Sequence, residues 1–464
     1  MGLVQKTQHV HFIGIGGSGM NGIAGILQEL GYKVTGSDLN TTDVTKRLEA
    51  LGVTCYAGHV EVNLGGADLV VSSTAIPPTN VELVAAKEKG LPVIHRGEML
   101  AWLMSRQKGI AIAGTHGKTT TTSMMALVFE MNGLDPTVII GGELTEIGGN
   151  AKLGRGEYLL AEADESDGSF LKLAPFIEVI TNIEDDHLDY YKNIENIIAA
   201  FQKFMAKVPD EGLAVVCLDN PIIKQLLLDY DRPFQTYALG QQKADYTLRN
   251  LRLSDLTTAG DVYYKEEYLG CLELSVPGLH NLSNALAVVV VGMVVGIPFN
   301  GIAAALKKFK GAGRRFQFLG EVNGIKVIDD YAHHPSEIKA TLKAARQLKK
   351  GRVVSVFQPH RYTRTLFLAE RFGAAFNDAD VIIVSDIYSA GEQPIKGVSA
   401  RNIVSEIEKN VDCEVIYLPT RKEIVDYLAK TARPGDLILT FGAGDIWNAG
   451  VELVKRLKES HDIG

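Results

Sequence analysis

A glycine-bearing turn with a lysine and four threonines is the first chemically suggestive feature of the sequence, AIAGTHGKTTTT at residues 111–122. In such a turn, backbone N–H groups cradle phosphates at the start of the next helix, the lysine offsets phosphate charge and a threonine hydroxyl, here that of Thr119, binds Mg²⁺. The usual spacing puts the first glycine where this sequence has Ile112, so the loop is a shortened variant. The alternative is a threonine-rich helix start with an exposed lysine. We expect phosphate binding by Gly114, Thr115, His116, Gly117, Lys118, Thr119 and Thr120.

Clustered carboxylates form the second feature, in AEADESD at residues 161–167 and TNIEDDHLD at residues 181–189. Each stretch follows an apolar segment typical of a strand, and the ends of parallel strands face one crevice. Carboxylate oxygens there suit Mg²⁺. We expect at least one metal ligand in the first stretch, and His187 as a ligand of a second Mg²⁺ or Mn²⁺. A solvated acidic turn is the competing interpretation.

The third feature is GIGGSG at residues 14–19, which lies between an apolar strand pattern and a helical pattern and is followed by Asp38. Glycines at this spacing permit a tight turn and a close approach of a pyrophosphate to the helix N-terminus. The carboxylate of Asp38 could accept a hydrogen bond from a ribose hydroxyl. The motif indicates a nucleotide ligand but does not distinguish NAD, FAD and a UDP-sugar. A turn that merely packs helix on strand is the alternative.

The fourth feature is a pair of stretches late in the chain, DDYAHHP at residues 329–335 and QPHRYTR at residues 358–364. Both follow strand patterns, and two arginines near a histidine pair suit recognition of a carboxylate. Solvated basic loop tips remain an equal alternative from these residues alone.

Strand, glycine turn and helix alternate along the chain, which predicts an α/β fold of three domains. We expect a Rossmann-like N-terminal domain at residues 1–107, a central P-loop ATPase domain with a mixed sheet at 108–312, and a Rossmann-like C-terminal domain at 313–464. In the central domain, Thr258–Asp261 is expected to form a hairpin turn.

Composition excludes several other classes of protein. The 464 residues carry a net charge of −8, which argues against a nucleic-acid partner. The longest apolar run, residues 286–298, is too short to span a bilayer and is expected to be a buried helix, so no membrane association is predicted. Four scattered cysteines form no CxxC pair and suit a reducing cytoplasm, and no signal peptide is recognised.

Taken together, the motifs resemble those of the Mur ligases, ATP-dependent enzymes of peptidoglycan precursor synthesis. Besides the shortened phosphate loop, the stretches that appear in the family's order are AEADESD, TNIEDDHLD, PGLHNLSNALA, GRRFQFLG, DDYAHHPSE, FQPHRYTRT, AGEQPIKG and GAGDIW. The resemblance covers essentially the whole chain. It implies ATP with Mg²⁺, or Mn²⁺, as cofactors, and UDP-N-acetylmuramic acid and L-alanine as substrates, through an acyl-phosphate intermediate.

The resemblance also assigns residues to each domain. The residues it implies for the UDP-sugar are Gly16, Gly17, Ser18, Gly19, Asp38, Ser72 and Ser73. Beyond the phosphate loop, it implies that Asn281, Asn284, Arg315 and Asp330 contact ATP. Tyr331, His333, Arg361 and Arg364 resemble the amino-acid pocket. The implied catalytic residues are Lys118, Glu162, His187 and His333, with Thr119, Glu162 and His187 as metal ligands.

Other functions remain open at this level. A murein tripeptide ligase of wall recycling shares most of the motifs and differs in the amino donor. A nicotinamide-dependent dehydrogenase would explain only the GIGGSG motif at residues 14–19. A non-enzymatic P-loop switch would leave the C-terminal domain without a function. The expected oligomeric state is a monomer or a homodimer.

Overall fold

Three β-sheets divide the chain in a computed structural model that describes Val4 and residues 6–144, 148–240, 243–254, 257–348 and 351–461. Each sheet is flanked by helices, and each corresponds to one of the three expected α/β regions. The mixed α/β fold predicted from the alternating pattern is therefore confirmed.

The N-terminal sheet has five parallel strands in the order β3-β2-β1-β4-β5, which is the Rossmann order without its sixth strand. Its strands are β1 (His9–Ile13), β2 (Lys33–Asp38), β3 (Thr54–Ala57), β4 (Leu69–Ser72) and β5 (Val93–His95). Its helices are α1 (Ser18–Glu29), α2 (Asp43–Ala50), α3 (Val81–Glu88) and α4 (Arg96–Met104), with a 3₁₀ turn at Glu61–Leu64. The glycine motif fills the turn between β1 and α1.

The central sheet has ten strands, in the order β15-β14-β13-β12-β11-β10-β6-β9-β7-β8. They are β6 (Lys108–Ala113), β7 (Thr137–Leu144), β8 (Gly149–Lys152), β9 (Tyr158–Glu162), β10 (Ile177–Ile180), β11 (Leu213–Cys217), β12 (Phe234–Leu239), β13 (Tyr246–Leu253), β14 (Thr258–Tyr264) and β15 (Glu267–Leu274). The helices are α5 (Lys118–Met131), α6 (Leu188–Tyr191), α7 (Ile194–Met205), α8 (Pro221–Leu226), α9 (Leu279–Val294) and α10 (Phe299–Lys308), with 3₁₀ turns at Ser169–Lys172 and Leu227–Asp229. Parallel pairing of β6 with β9 and β10 brings the phosphate loop and both acidic stretches to one edge.

The C-terminal sheet has the order β16-β17-β21-β18-β19-β20, parallel except for the edge strand β16. Its strands are β16 (Gln317–Val322), β17 (Ile325–Asp330), β18 (Val353–Phe357), β19 (Val381–Val384), β20 (Glu414–Tyr417) and β21 (Leu437–Phe441). The helices are α11 (Pro335–Leu348), α12 (Tyr362–Gly373), α13 (Ala400–Glu408), α14 (Arg421–Thr431) and α15 (Trp447–His461). The histidine pair and the arginine pair follow β17 and β18.

Two details of the central sheet differ from the sequence prediction. Thr258–Asp261 is the first half of β14 rather than a hairpin turn, and the chain reverses at Lys265 and Glu266, which both have positive φ angles. The hairpin of β7 and β8 was not predicted, because both strands contain glycines and β8 has only four residues. This hairpin packs against α1, where a Cβ on Gly22 would lie 2.9 Å from Ala151 Cβ.

Most buried apolar side chains of the N-terminal and central regions form one continuous core, and a smaller separate core lies around Ile13 and Val70 of the N-terminal sheet. The C-terminal region has separate cores on the two faces of its sheet. The apolar run at residues 286–298 belongs to this first core, mostly within α9, as expected. Among the described helices, none is both long and apolar enough to traverse a bilayer.

Candidate active site

A cleft of about 1370 Å³ lies where the three regions meet. Its walls come from the glycine motif, the phosphate loop, both acidic strand ends, and the loops after β17 and β18. The predicted site residues that line it are Gly17, Ser18, Gly19, Ser73, Thr115, His116, Gly117, Lys118, Thr119, Glu162, His187, Arg315, Tyr331, His333, Arg361 and Arg364. Motifs far apart in sequence thus share one cleft.

The phosphate loop connects β6 to α5 through two glycines with positive φ. Gly114 has a φ of 131°, and a Cβ there would lie 2.1 Å from Thr181 Oγ1. Gly117 has a φ of 86°, and a Cβ there would lie 2.6 Å from Asn284 Oδ1. Both positions therefore require glycine, for conformation and for space.

The N-terminus of α5 presents unused donors to the cleft. Thr115 N–H and His116 N–H are bonded to Asn182, whereas the N–H groups of residues 117–120 have no acceptor among the described residues. Thr120 is buried in the first turn of the helix. Four free amides at a helix N-terminus make a cradle for an anion such as a phosphate.

Lys118 turns back onto its own loop. Its ammonium donates to Gly114 O at 2.6 Å and to Thr115 O at 3.2 Å, and it lies 2.9 Å from both carboxylate oxygens of Glu165. Burial alone lowers the pKa of Lys118, but Glu165 and its acidic neighbours raise it overall. The lysine is therefore a fixed cation at the mouth of the amide cradle.

Glu162 ends β9 beside the loop. One carboxylate oxygen accepts from Gly141 N–H at 2.6 Å, and the other accepts from the Thr119 hydroxyl at 3.1 Å. Burial raises the pKa of Glu162, against the opposing effects of Gly141 and Lys118. A hydroxyl and a carboxylate are thus held side by side.

His187 lies on the second acidic stretch, in a left-handed conformation with a φ of 55°. Its Nε2 is 3.7 Å from Glu165 Oε1 and 3.7 Å from Asp186 Oδ2. The neighbouring Asp186 forms a buried ion pair with Arg364 of the C-terminal region, at 2.9 Å. This pair joins the central acidic edge to the expected amino-acid pocket.

The loop after β17 fixes the tautomer of His333. Its Nδ1 lies 2.9 Å from Tyr331 O, which can only accept, so the proton of the neutral ring is on Nδ1 and Nε2 has a free lone pair. Burial and the charge of Arg364 lower the pKa of His333 to about 3, so the ring is neutral at pH 7. Arg361 is half-exposed and lies 3.4 Å from Asp189.

Several predicted residues hold structure in place around the cleft. Asp38 accepts from Gly16 N–H at 2.9 Å and thereby braces the glycine turn, and Ser72 lies at the end of β4. Asp330 accepts from two backbone N–H groups, and burial raises its pKa to about 6. Asn281 donates to Pro277 O at 2.6 Å, so its amide hydrogen-bonds to backbone in the first turn of α9.

The structure adds site residues that the sequence did not single out. Arg96, at the start of α4, pairs with Asp164 at 2.7 Å and lines the cleft between the N-terminal and central regions. Glu165 forms an ion pair with Lys118. Glu184 and Glu337 contact His116 of the phosphate loop. Glu165 and Glu184 lie inside motifs that were recognised, but their pairing with Lys118 and His116 joins segments far apart in the chain, which no local pattern predicts.

Three successive stretches of the chain are similar to known protein families. Three family models match: "Mur ligase family, catalytic domain" at residues 9–108, "Mur ligase middle domain" at 112–292 and "Mur ligase, glutamate ligase domain" at 314–444.

Full-length relatives are similar along the whole chain. The UDP-N-acetylmuramate–L-alanine ligase of Pelotomaculum thermopropionicum is 74% identical over 99% of this chain and 100% of its own length. That of Desulforamulus reducens is 55% identical over the same shares. A crystal structure of the UDP-N-acetylmuramate-alanine ligase MurC of Thermotoga maritima has a TM-score of 0.82 at 30% identity, and covers 97% of this chain and 99% of that one. Since the phosphate loop, the acidic strand ends and the late histidine and arginine pairs also meet in one cleft, the chain belongs to the Mur ligase family.

Proposed function

We propose that this chain is an ATP-dependent ligase that joins L-alanine to the muramyl carboxylate of UDP-N-acetylmuramic acid, an early cytoplasmic step of peptidoglycan synthesis. The observation that carries the proposal is 74% identity over 99% of the chain to a relative with this name. The cleft supports it, because one phosphate-binding edge opens both to the glycine motif and to the histidine and arginine pairs.

The first chemical step transfers the γ-phosphoryl group. An oxygen of the muramyl carboxylate attacks the γ-phosphorus, the bond to the bridging oxygen of ADP breaks, and an acyl phosphate forms. The amides of residues 117–120 and the ammonium of Lys118 would stabilise the charge that develops on the phosphoryl oxygens. Lys118 must exchange its bonds to Gly114 O and Thr115 O for phosphate oxygens to do so.

A divalent cation fits the oxygen donors beside the loop. The Thr119 hydroxyl and the Glu162 carboxylate are 3.1 Å apart, and burial of Glu162 makes a cationic partner favourable. We infer that Thr119 and Glu162 hold Mg²⁺ or Mn²⁺ and that His187 serves a second ion. The metal supplies charge neutralisation for the phosphoryl group.

The second step forms the amide bond. The amine of L-alanine attacks the acyl carbon, phosphate leaves with the electron pair of the C–O bond, and the amine gives up a proton. His333 is the candidate base, since its Nδ1 bond to Tyr331 O leaves the lone pair on Nε2. Because a pKa of about 3 makes the ring a weak base, the negative charge of the acyl phosphate would have to raise that pKa for the proton to transfer. Arg361 and Arg364 would bind the alanine carboxylate.

Phosphate release from ATP tests the proposal. Release in the presence of UDP-N-acetylmuramic acid and Mg²⁺ should require L-alanine and should not occur with a wall tripeptide instead. Lys118→Met should lower this rate by about a hundredfold or more, the cost of one lost transition-state donor. Lys46→Met, which removes an exposed lysine of the N-terminal region, should leave the rate unchanged. Release with the tripeptide alone would instead assign the chain to wall recycling, and release with neither would contradict the ligase proposal.

A further inference from the structure

Glu337 is a carboxylate in the first turn of α11 whose side chain is only 10% exposed, and its two oxygens have different partners. Oε2 accepts from His333 N–H at 3.1 Å and from His334 N–H at 3.3 Å. Oε1 lies 3.2 Å from an Arg315 guanidinium nitrogen and 3.3 Å from His116 Nδ1. The first set is local to the helix, whereas Arg315 precedes the C-terminal sheet and His116 belongs to the phosphate loop of the central region.

Helix capping explains the contacts of Oε2 but not those of Oε1. A glutamate three residues after the N-cap commonly accepts from the N-cap backbone, and Glu423 does so at the start of α14 by accepting from Thr420 N–H at 3.0 Å. Glu423 is exposed and has no contact with another region among its described contacts. Glu337 performs the same capping through Oε2, so its contact with the phosphate loop is an additional feature.

The side chain of His116 is enclosed by groups of the C-terminal and central regions. Its Nδ1 faces Glu337, and its Nε2 is 3.0 Å from Ser336 Oγ, which donates to Glu184 Oε2 at 2.8 Å. The ring of His334 lies 4.8 Å away, centroid to centroid. Two carboxylates therefore hold a histidine side chain between α11 and the end of β10.

The backbone of His116 is also held in place, next to the free amides of residues 117–120. Its N–H donates to Asn182 Oδ1 at 2.9 Å, and its carbonyl accepts from Thr181 Oγ1 at 2.6 Å. The next four residues carry the free amides of α5. Because the backbone is fixed on one side by β10 and the side chain on the other by α11, the loop between β6 and α5 is clamped at its middle.

We propose that Glu337 is a positioning residue that acts through His116 to set the geometry of the phosphate loop, so that the nucleotide is bound well only while α11 is seated on that loop. The proposal depends on the proposed function only for the identity of the nucleotide. By linkage, a nucleotide that prefers the clamped loop also favours seating of α11 to the same extent.

Glu337→Gln separates the two roles, because glutamine keeps the capping acceptor but removes the charge that holds His116 and Arg315. Glu423→Gln is the matched control, with the same position in its helix and no contact with the loop. Binding of ATP, measured by calorimetry without the other substrates, should weaken by about tenfold to a hundredfold in Glu337→Gln, the range for a hydrogen bond to a charged group. It should be unchanged in Glu423→Gln. Affinity for UDP-N-acetylmuramic acid, which binds elsewhere in the cleft, should be unchanged in both.

A double-mutant cycle with His116→Ala tests whether the effect passes through the histidine. In the His116→Ala background, Glu337→Gln should change the ATP affinity by less than about threefold. Wild-type ATP affinity in Glu337→Gln, or full additivity with His116→Ala, would overturn the proposal and leave Glu337 as a cap. A fall in melting temperature larger than that of Glu423→Gln, with no loss of ATP affinity, would also overturn it. Failure of ligation with L-alanine would contradict the proposed function while leaving these affinities to decide the role of Glu337.

Discussion

At the scale of single residues, the histidines around the cleft have opposite charge preferences. Burial lowers the pKa of His280 and His334 to about 4 and that of His333 to about 3. His116 is also buried, which by itself lowers its pKa, but Glu337 and Glu184 raise the pKa overall to about 9. At neutral pH His116 of the phosphate loop is therefore cationic, whereas His280, His333 and His334 are neutral.

This difference predicts how stability depends on alkaline pH. Because the pKa of His116 is near 9 when folded and near 6.5 when unfolded, its stabilising contribution is complete below pH 6.5 and is lost as the pH rises through 9. The groups that face it are Glu184, Glu337 and His334, and none of these titrates between pH 7 and 9.5. The contribution lost between pH 7 and 9.5 is about 2 kcal/mol, so the melting temperature of the wild type should fall over this range by about 5 °C more than that of His116→Asn.

Differential scanning fluorimetry at matched ionic strength measures this effect. Other lysines, tyrosines and cysteines titrate in both proteins and cancel in the comparison. Equal slopes for the two proteins between pH 7 and 9.5 would mean that the imidazolium of His116 contributes no stability.

At the scale of elements, the β6–α5 turn determines whether the amides of α5 can reach a phosphate. Gly117→Ala introduces a Cβ 2.6 Å from Asn284 Oδ1 at a φ of 86°. Gly133→Ala is a matched control just beyond the other end of α5, because its φ is 76° and its Cβ would meet nothing within 4 Å. Both substitutions carry the backbone cost of about 1–2 kcal/mol for a left-handed residue. Only Gly117→Ala should also abolish ATP binding.

Calorimetric titration with ATP and thermal melting of both variants test this expectation. The melting temperature of Gly117→Ala should fall at least as far as that of Gly133→Ala, because only Gly117→Ala adds a steric overlap, whereas the ATP affinity of Gly133→Ala should equal that of the wild type. ATP binding by Gly117→Ala at wild-type affinity would show that the loop tolerates a side chain there and that the cradle is less constrained than its geometry implies.

The sequence predicted the elements that follow strong local rules. Apolar runs closed by glycine turns identified the phosphate loop, the glycine motif and most parallel strands, because strand ends and turns are short-range features. Thr258–Asp261 was mispredicted as a turn, because glycine and aspartate usually favour turns. Here these residues are extended, because β14 pairs with β13 and β15. Cross-region partners such as Arg96 with Asp164 depend on tertiary packing that no local pattern encodes.

At the scale of the whole molecule, two arginines of one helix form ion pairs that join the C-terminal region to the central one. Arg364 and Asp186 are both 8% exposed and lie 2.9 Å apart. Arg371, on the same helix α12, pairs with the adjacent Asp185, and both of these side chains are about 40% exposed. Burial disfavours the charge of Asp186, yet Arg364 and nearby histidines hold its pKa well below the usual range. The buried pair is thus the stronger candidate for holding the two regions together.

Arg364→Gln should therefore weaken docking of the two regions far more than Arg371→Gln. Removal of Arg364 leaves a buried carboxylate without its cation, at a cost of about 3–5 kcal/mol, whereas loss of an exposed pair costs about 0–1 kcal/mol. The radius of gyration from small-angle X-ray scattering should increase, and the melting temperature should fall, only for Arg364→Gln. Arg364→Gln/Asp186→Asn should recover part of the loss, because it removes the unpaired charge while keeping the side-chain volumes. Equal effects of the two arginine substitutions would mean that the regions are held by apolar contacts and hydrogen bonds around α11 rather than by this pair.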